Sequence, residues 1–354
     1  MKNFNSIGIV ITCLFHSFCF SQLESKIDQE LEQLYRDTNF SGIIHVQEGK
    51  DTLYSKTFGF RNFEEKTPID RNTGFNIGSM NKMFTVVAAV QIMDKYDISL
   101  EDTIMDALPK ELKGIGLETI TYKQLMTHTS GLGDYLTHPD YYQHLESYLD
   151  MRSFYKPEFF RLVSKPGTKF QYSNSGVLLL GILLEQLEQE DYYNLIQYYV
   201  FDKAEMNRTG FYTSLEIIEN RAVGYYIENN KIISNHYAHS IKGTPAGGSY
   251  STVNDLLKFF RCLTNGTLVN KELLAMMTEP IIKNPRSRRQ SSYVGLIFSV
   301  DQENKNFGHS GGAPGISCYS RYFPKKEMTI LILQNYGSSR STRKVVENIL
   351  RPWE

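Results

Sequence analysis

Ser79-Met80-Asn81-Lys82 sets a hydroxyl and an amine three residues apart. On a helix that is about one turn, so both side chains lie on one face. A serine hydroxyl is a weak nucleophile at neutral pH and needs a base beside it. A buried lysine near other cations can give up its proton and fill that role. A helix N-terminus adds free backbone N–H groups and positive potential under the hydroxyl. The same spacing recurs at Ser153-Phe154-Tyr155-Lys156, where Pro157 follows at once, and at Ser341-Thr342-Arg343-Lys344, in a polar terminal stretch. Ser79 differs in having Gly78 before it, which permits close approach, and a buried-looking helix behind it. By spacing alone it reads equally well as a helix cap followed by an exposed lysine.

Two further groups of residues carry chemistry. Tyr172-Ser173-Asn174 stands between Pro166-Gly167-Thr168 and an apolar helical stretch. A phenol held near a lysine can act as general base, and an asparagine amide can hold the lysine or donate to a substrate carbonyl. Tyr192-Tyr193-Asn194 matches the same pattern, and a packed tyrosine with a capping asparagine is the plain alternative. His309-Ser310-Gly311-Gly312 precedes a β-like run. Glycines on a strand beside a cleft let backbone approach a ligand, and their N–H groups can complete an oxyanion hole with that of Ser79. A Gly-rich hairpin loop with an incidental histidine is the plain alternative there.

The elements that must gather these segments follow from periodicity. Leu23, Ile27, Leu31 and Leu34 mark a helix over 23–37. Gly42–Gln47 and Thr52–Phe60 read as strands around a turn at Glu48-Gly49-Lys50-Asp51. A helix is expected from Ser79 to about Tyr96, apolar nearly all round and therefore buried. Helices follow at Tyr122–His128, Pro157–Val163, Ser175–Glu188, Tyr192–Val200 and Leu256–Leu263, the last capped by Ser251 or Thr252. Tyr293–Val300, Ile316–Phe323 and Met328–Gln334 are β-rich, and Ser341–Leu350 reads as a final helix. A lone hairpin is marginal, so the β segments at the two ends must join in one antiparallel sheet. The expected class is therefore α+β, of α/β sandwich type. Terminal helices flank the sheet (22–99 and 241–354), and a mostly helical block, about 100–240, is inserted to form a cleft against it.

The 354 residues carry a formal net charge of -1, with 41% hydrophobic and 22% charged residues, which fits a soluble globular chain and excludes an electrostatic footprint for nucleic acid. Lys2, the apolar run Ile7–Phe15 and a cleavage point near Ser21/Gln22 read as a signal peptide over 1–21, hence a secreted or periplasmic protein. Phe18 disfavours lipid attachment at Cys19, and no later stretch is long and apolar enough to be a transmembrane anchor. The mature chain keeps Cys262 and Cys318, read as two unpaired core thiols. No CxxC or HExxH occurs, so neither metal nor other cofactor is expected.

Taken together, the three motifs, in this order and each at an element boundary, resemble the serine β-lactamase / penicillin-binding-protein superfamily, specifically its class C-like branch, whose second motif is Y-x-N. Leu125-Met126-Thr127-His128-Thr129-Ser130-Gly131-Leu132, Pro166-Gly167 through Asn174, and Ala246-Gly247-Gly248-Ser249-Tyr250-Ser251-Thr252 extend the likeness over nearly all of the mature chain. The resemblance implies that Ser79 forms an acyl-enzyme and that Lys82 and Tyr172 share the proton traffic. It further implies that Asn174 positions the substrate amide and that the N–H groups of Ser79 and Gly312 hold the oxyanion. It places His128 in a structural stretch. β-Lactamases of the branch usually carry Lys-Thr-Gly where this chain has His309-Ser310-Gly311, and histidine is a weaker carboxylate anchor than lysine. The expectation is thus a peptidase, amidase or esterase, DD-peptidase- or D-aminopeptidase-like, acting on a D-amino-acid-containing or small acyl substrate, small molecule or peptide, with peptidoglycan fragments as one candidate source. A true β-lactamase and a non-catalytic peptidoglycan or penicillin sensor are the alternatives. Oligomeric state is not legible.

Overall fold

A computed structural model describes residues 40–213 and 216–337, together with residues 28, 29, 32, 33 and 36. The expected signal peptide and the terminal helix over Ser341–Leu350, with its Ser341/Lys344 pair, lie outside the described residues.

β1 (Ser41–Glu48) and β2 (Asp51–Phe58) form the expected hairpin. The C-terminal strands are β3 (Ile282–Lys283), β4 (Ser292–Val294), β5 (Ser299–Asp301), β6 (Asn306–Gly308), β7 (Ser310–Ala313), β8 (Ile316–Phe323) and β9 (Met328–Tyr336). They join in one large sheet in the order β2-β1-β9-β8-β6-β5-β4-β3, with β7 pairing with β8. The two chain ends therefore meet at β1 and β9, antiparallel from Gly42↔Gln334 to Glu48↔Met328. Alternation sends Ile43, Leu331 and Leu333 into the main core and Ile44, Val46, Ile330 and Ile332 into a second apolar cluster on the opposite face. Asp28 and Glu32, in helical residues before β1, reach over that second face to Tyr54 and Lys56. The class is α+β, as expected.

Helix α1 (Lys82–Lys95) runs through the middle of the molecule, with Met83–Val90 wholly buried. It ends where Asp97 turns left-handed (φ 55°) and Ile98 N–H reaches back to Met93 O at 2.9 Å. Phe84 meets Phe259 edge-on at 4.9 Å and Phe201 at 5.3 Å. Helix α2 (Tyr122–Met126) starts on a Thr121–Gln124 capping box. Helix α3 (Asn174–Glu188) is capped by Ser173 and buried from Asn174 through Leu184. Helix α4 (Val253–Thr264) is capped by Thr252.

Five local expectations change. Ser79 lies on a 3-10 turn, Gly78–Asn81, ahead of α1 rather than inside the α-helix. The helix expected to reach His128 stops at Met126, because His128 adopts φ 57°. Pro157–Val163 gives only a 3-10 turn over Pro157–Phe160, and Tyr192–Val200 divides into an α-turn and a π-helical segment, Gln197–Asp202. The run Tyr293–Val300 is not one strand: β4 and β5 pair with each other, turning over Gly295, where any Cβ would press on Met277 and Glu279 carbonyls. A hairpin of Tyr225–Glu228 and Lys231–Ser234 attaches to the sheet through Tyr225 and Tyr336. Cys262 and Cys318 are both buried and free. Among the described residues no helix is long and apolar enough to cross a membrane, and no cluster of His, Cys, Asp or Glu is suited to a metal.

Candidate active site

Ser79 lines a cleft together with Gly312 and Ala313 of β7 and with Tyr135 and Tyr141. Its turn is built by close backbone contacts. Gly78 holds φ 50°, and its N–H is held by Asn76 Oδ1 at 2.9 Å. A Cβ on Gly78 would lie 3.3 Å from Gly312 N, and one on Gly311 would overlap Ile77 O and come within 3.1 Å of Ser79 N. The backbones of the serine turn and β7 therefore run side by side, with the Ser79 and Gly312 amides as neighbours.

Lys82 is completely buried, one turn on. An ammonium has three N–H donors, and each has an acceptor here: Ser79 Oγ at 3.0 Å, Asn174 Oδ1 at 2.7 Å, and the carbonyl of Ala246 in a short contact. Among the described residues no carboxylate forms an ion pair with it. An amine that loses one proton keeps two of these bonds and turns its lone pair toward the serine hydroxyl. The Ala246 segment is itself pinned to the serine turn and α1: Asn81 Nδ2 donates to Thr244 O and Pro245 O at 3.0 and 3.1 Å, and Thr85 Oγ1 to Pro245 O at 2.8 Å.

Asn174, the first residue of α3, presents its carbonyl to Lys82 because Asp134 holds the other end of the amide. Asn174 Nδ2 donates to Asp134 Oδ2 at 2.7 Å, while Asp134 Oδ1 accepts from Leu136 N–H at 3.0 Å. Tyr172 stands next to the amine: its ring centre is 5.1 Å from Lys82 Nζ and 4.8 Å from the Arg286 guanidinium carbon. Its hydroxyl makes no hydrogen bond to Ser79 or Lys82.

His128 packs under Tyr172, ring centres 4.3 Å apart, and its Nδ1 accepts from Ser173 N–H at 3.3 Å. Its carbonyl takes the N–H of Gln171 at 2.7 Å, as Thr129 O takes that of Gly167 at 2.8 Å. The Leu125–Leu132 and Pro166–Asn174 stretches are thus two sides of one scaffold that carries Tyr172 and Asn174 to Lys82. Burial, then the Lys82 charge, pushes the His128 pKa well below the usual histidine range. His309 is likewise neutral: burial first and Lys82 next lower it to about 3, and Nδ1 is engaged with Ser310 O at 2.7 Å. It supplies no cation to the cleft at neutral pH.

Of the six other residues singled out in the sequence, Lys82 contacts Ser79, Asn174 and Tyr172 stand at Lys82, His309 feels the Lys82 charge, and Gly311 and Gly312 lie against the serine turn, with Ser310 and Gly312 exposed and Gly311 buried on β7. The competing motif copy falls apart: Ser153 Oγ donates to Asp150 O at 2.6 Å, and Lys156 lies over Tyr148 and Phe159. Tyr192 is buried against Thr85 instead of facing the cleft. Sequence reasoning missed Asp134, the Ala246 carbonyl and Arg286. Asp134 had one local signal, its place as a turn-capping residue before Tyr135; Ala246 stood, without a role, in a stretch that carries the resemblance, and Arg286 had no signal.

A family model described as Beta-lactamase matches residues 27–350. Penicillin-binding protein 4* of Bacillus subtilis (strain 168) is 26% identical over 321 residues, spanning 86% of this chain and 70% of the relative. Among solved structures, a penicillin binding protein from Bacillus halodurans superposes with a TM-score of 0.80 at 23% identity, covering 90% of this chain and 98% of that one. A D-stereospecific amidohydrolase from Streptomyces sp. superposes with a TM-score of 0.78 at 21% identity, covering 93% and 99%.

Proposed function

We infer the function from one premise: the chain belongs to the Beta-lactamase family and is a serine hydrolase. We propose that it acts through an acyl-enzyme on an amide or ester, as an exported peptidase, amidase or esterase. The observation that carries this reading is Lys82, sealed from solvent with its three N–H groups on Ser79, Asn174 and Ala246. In the proposed cycle the Ser79 hydroxyl gives its proton to the Lys82 amine as Oγ attacks the substrate carbonyl. The oxyanion collects between the N–H groups of Ser79 and Gly312. The Lys82–Tyr172 pair then passes a proton to the leaving amine or alcohol as the C–N or C–O bond breaks. A water molecule, giving up a proton to the same pair, releases the acid and restores Ser79.

A neutral His309 in place of a lysine favours this reading over a dedicated β-lactamase, because a substrate carboxylate finds no permanent charge at that position. Export is proposed from Lys2, the apolar run Ile7–Phe15 and the Ser21/Gln22 point alone.

The test is covalent labelling with a fluorophosphonate and turnover of p-nitrophenyl esters, D-amino-acid amides and nitrocefin. Ser79→Ala abolishes labelling and turnover, and Ser153→Ala changes neither. Labelling that survives Ser79→Ala refutes the assignment. Nitrocefin turnover outpacing every ester and amide by orders of magnitude makes the protein a β-lactamase instead, and no labelling or turnover at all favours a non-catalytic sensor.

A further inference from the structure

The cleft beside Ser79 has an uneven charge. Among its described lining residues there is no Asp, Glu or Lys, and there is one arginine, Arg221. Of the two histidines that line it, His239 is held below the usual histidine range by burial. The permanent charge that faces a bound substrate there is therefore positive.

Arg221 is also rigidly placed. Its backbone is bridged to Gly74, with Ala222 N–H on Gly74 O at 2.8 Å and Gly74 N–H on Asn220 O at 2.9 Å, a few residues before the serine turn. Its guanidinium lies 5.3 Å from the Tyr250 ring centre, and Nη1 donates to Thr213 O at 2.9 Å. Tyr250 in turn pairs with Asn76, which holds Gly78 N–H. An aromatic face and one carbonyl orient a guanidinium without neutralising it. Glu216, the acid whose pKa feels the Arg221 charge, takes Thr213 N–H at 2.9 Å instead and forms no ion pair with it. A half-buried guanidinium with four further N–H donors and no carboxylate partner among the described residues is incompletely solvated. A bidentate carboxylate supplies what it lacks.

The side of the cleft decides which part of a substrate this is. Tyr172 and Arg286 do not line this cleft; they stand together beyond Lys82. The leaving group receives its proton from the Lys82–Tyr172 pair and departs on that side. The portion that stays attached to Ser79 occupies the Arg221 side, past Ala222, Val223 and Ile316. We propose that Arg221 is an anion subsite for the acyl portion of the substrate, so that preferred substrates carry a carboxylate at the end of a short apolar acyl chain. The proposal rests on the serine-hydrolase reading of the same site.

The test compares p-nitrophenyl hemiesters of succinate, glutarate and adipate with the uncharged esters of matching length at low salt. Expected is a kcat/KM ratio of about 10- to 100-fold in favour of one hemiester, the range of a charge-assisted hydrogen-bond pair. That ratio falls toward one in Arg221→Gln, is intermediate in Arg221→Lys, and persists in Arg286→Gln. No hemiester preference at any length, or a preference retained in Arg221→Gln, overturns the proposal. A second arm is independent of turnover: in Ser79→Ala protein, calorimetry detects glutaric acid monoamide but not butyramide, and Arg221→Gln removes that difference. Equal binding of the two amides also overturns it. Uncharged esters hydrolysed without anion preference refute the subsite alone, whereas Ser79-independent turnover refutes the serine-hydrolase reading itself.

Discussion

An amide has two faces that look alike in outline and opposite in chemistry, and Asn174 must show the correct one to Lys82. Toward Asn174, Lys82 Nζ donates and the Asp134 carboxylate accepts, so the two together set one orientation of the Asn174 amide. Asp134 is on this view a positioning residue. Asp134→Asn is nearly isosteric, yet its new NH2 must face either Leu136 N–H or Asn174 Nδ2, both donors. The strain is relieved by flipping Asn174, which then turns donors toward Lys82. We expect acylation of Ser79 by a fluorophosphonate or an ester to slow by about 10- to 100-fold, the range of one to two lost charged hydrogen bonds. The loss should fall on kcat rather than KM, with the unfolding midpoint nearly unchanged. An unaltered acylation rate would show that Lys82 orients Asn174 unaided.

At the level of elements, the site is a seam between a turn and a strand. Neither the Gly78–Asn81 turn nor β7 carries the oxyanion geometry alone; their contact does. Gly311 is where that contact is tightest, with Ile77 O and Ser79 N in the space that a side chain would fill. These are backbone atoms and cannot rotate away, so Gly311→Ala must push β7 from the serine turn. We expect kcat/KM to fall by about 100-fold or more, the size seen when one oxyanion donor is lost. Binding of a substrate-like amide to Ser79→Ala protein should be less affected. Activity within threefold of the parent would mean that the seam relaxes, and that Gly312 N is not a donor to the oxyanion.

The whole molecule stores buried neutral imidazoles. Burial lowers the pKa of His45 to about 4 and of His309 to about 3, and takes His128 well below its ordinary value. The unfolded chain binds protons at these groups below about pH 6.5, while the folded chain does not. Stability contributed by the neutral forms is therefore complete above that pH and is lost as pH falls toward the folded-state values. Each histidine gives a slope of about 1.4 kcal/mol per pH unit within that window. Urea unfolding at pH 7.5 and pH 5.0 should show a fall of about 2 kcal/mol for each of His45 and His309, with His128 adding in the same direction, and His309→Gln should remove one such contribution. Equal stability at the two pH values contradicts the burial assignment.

Much of this protein was readable along the chain. Ser79 and Lys82 are legible as a pair because a helical turn fixes which side chains share a face, while Tyr172, Asn174, His309, Gly311 and Gly312 are candidates only through the order of the three motifs and the resemblance they carry. The β1–β9 pairing of the two ends was anticipated because a hairpin alone cannot bury its apolar faces. What periodicity could not supply was curvature: the 3-10 turn under Ser79, the left-handed His128, and the reversal at Gly295 that splits one apolar run into β4 and β5. Each of these depends on contacts between segments far apart in the chain. The same holds for the residues that were missed. Asp134, Ala246, Arg286 and Arg221 acquire meaning only from neighbours tens to hundreds of residues away. Local sequence determines which groups can react, because bonding and helical pitch are local. The tertiary fold alone decides which face of an amide a lysine meets and which charge a cleft presents, because hydrogen bonds and Coulomb forces act through space.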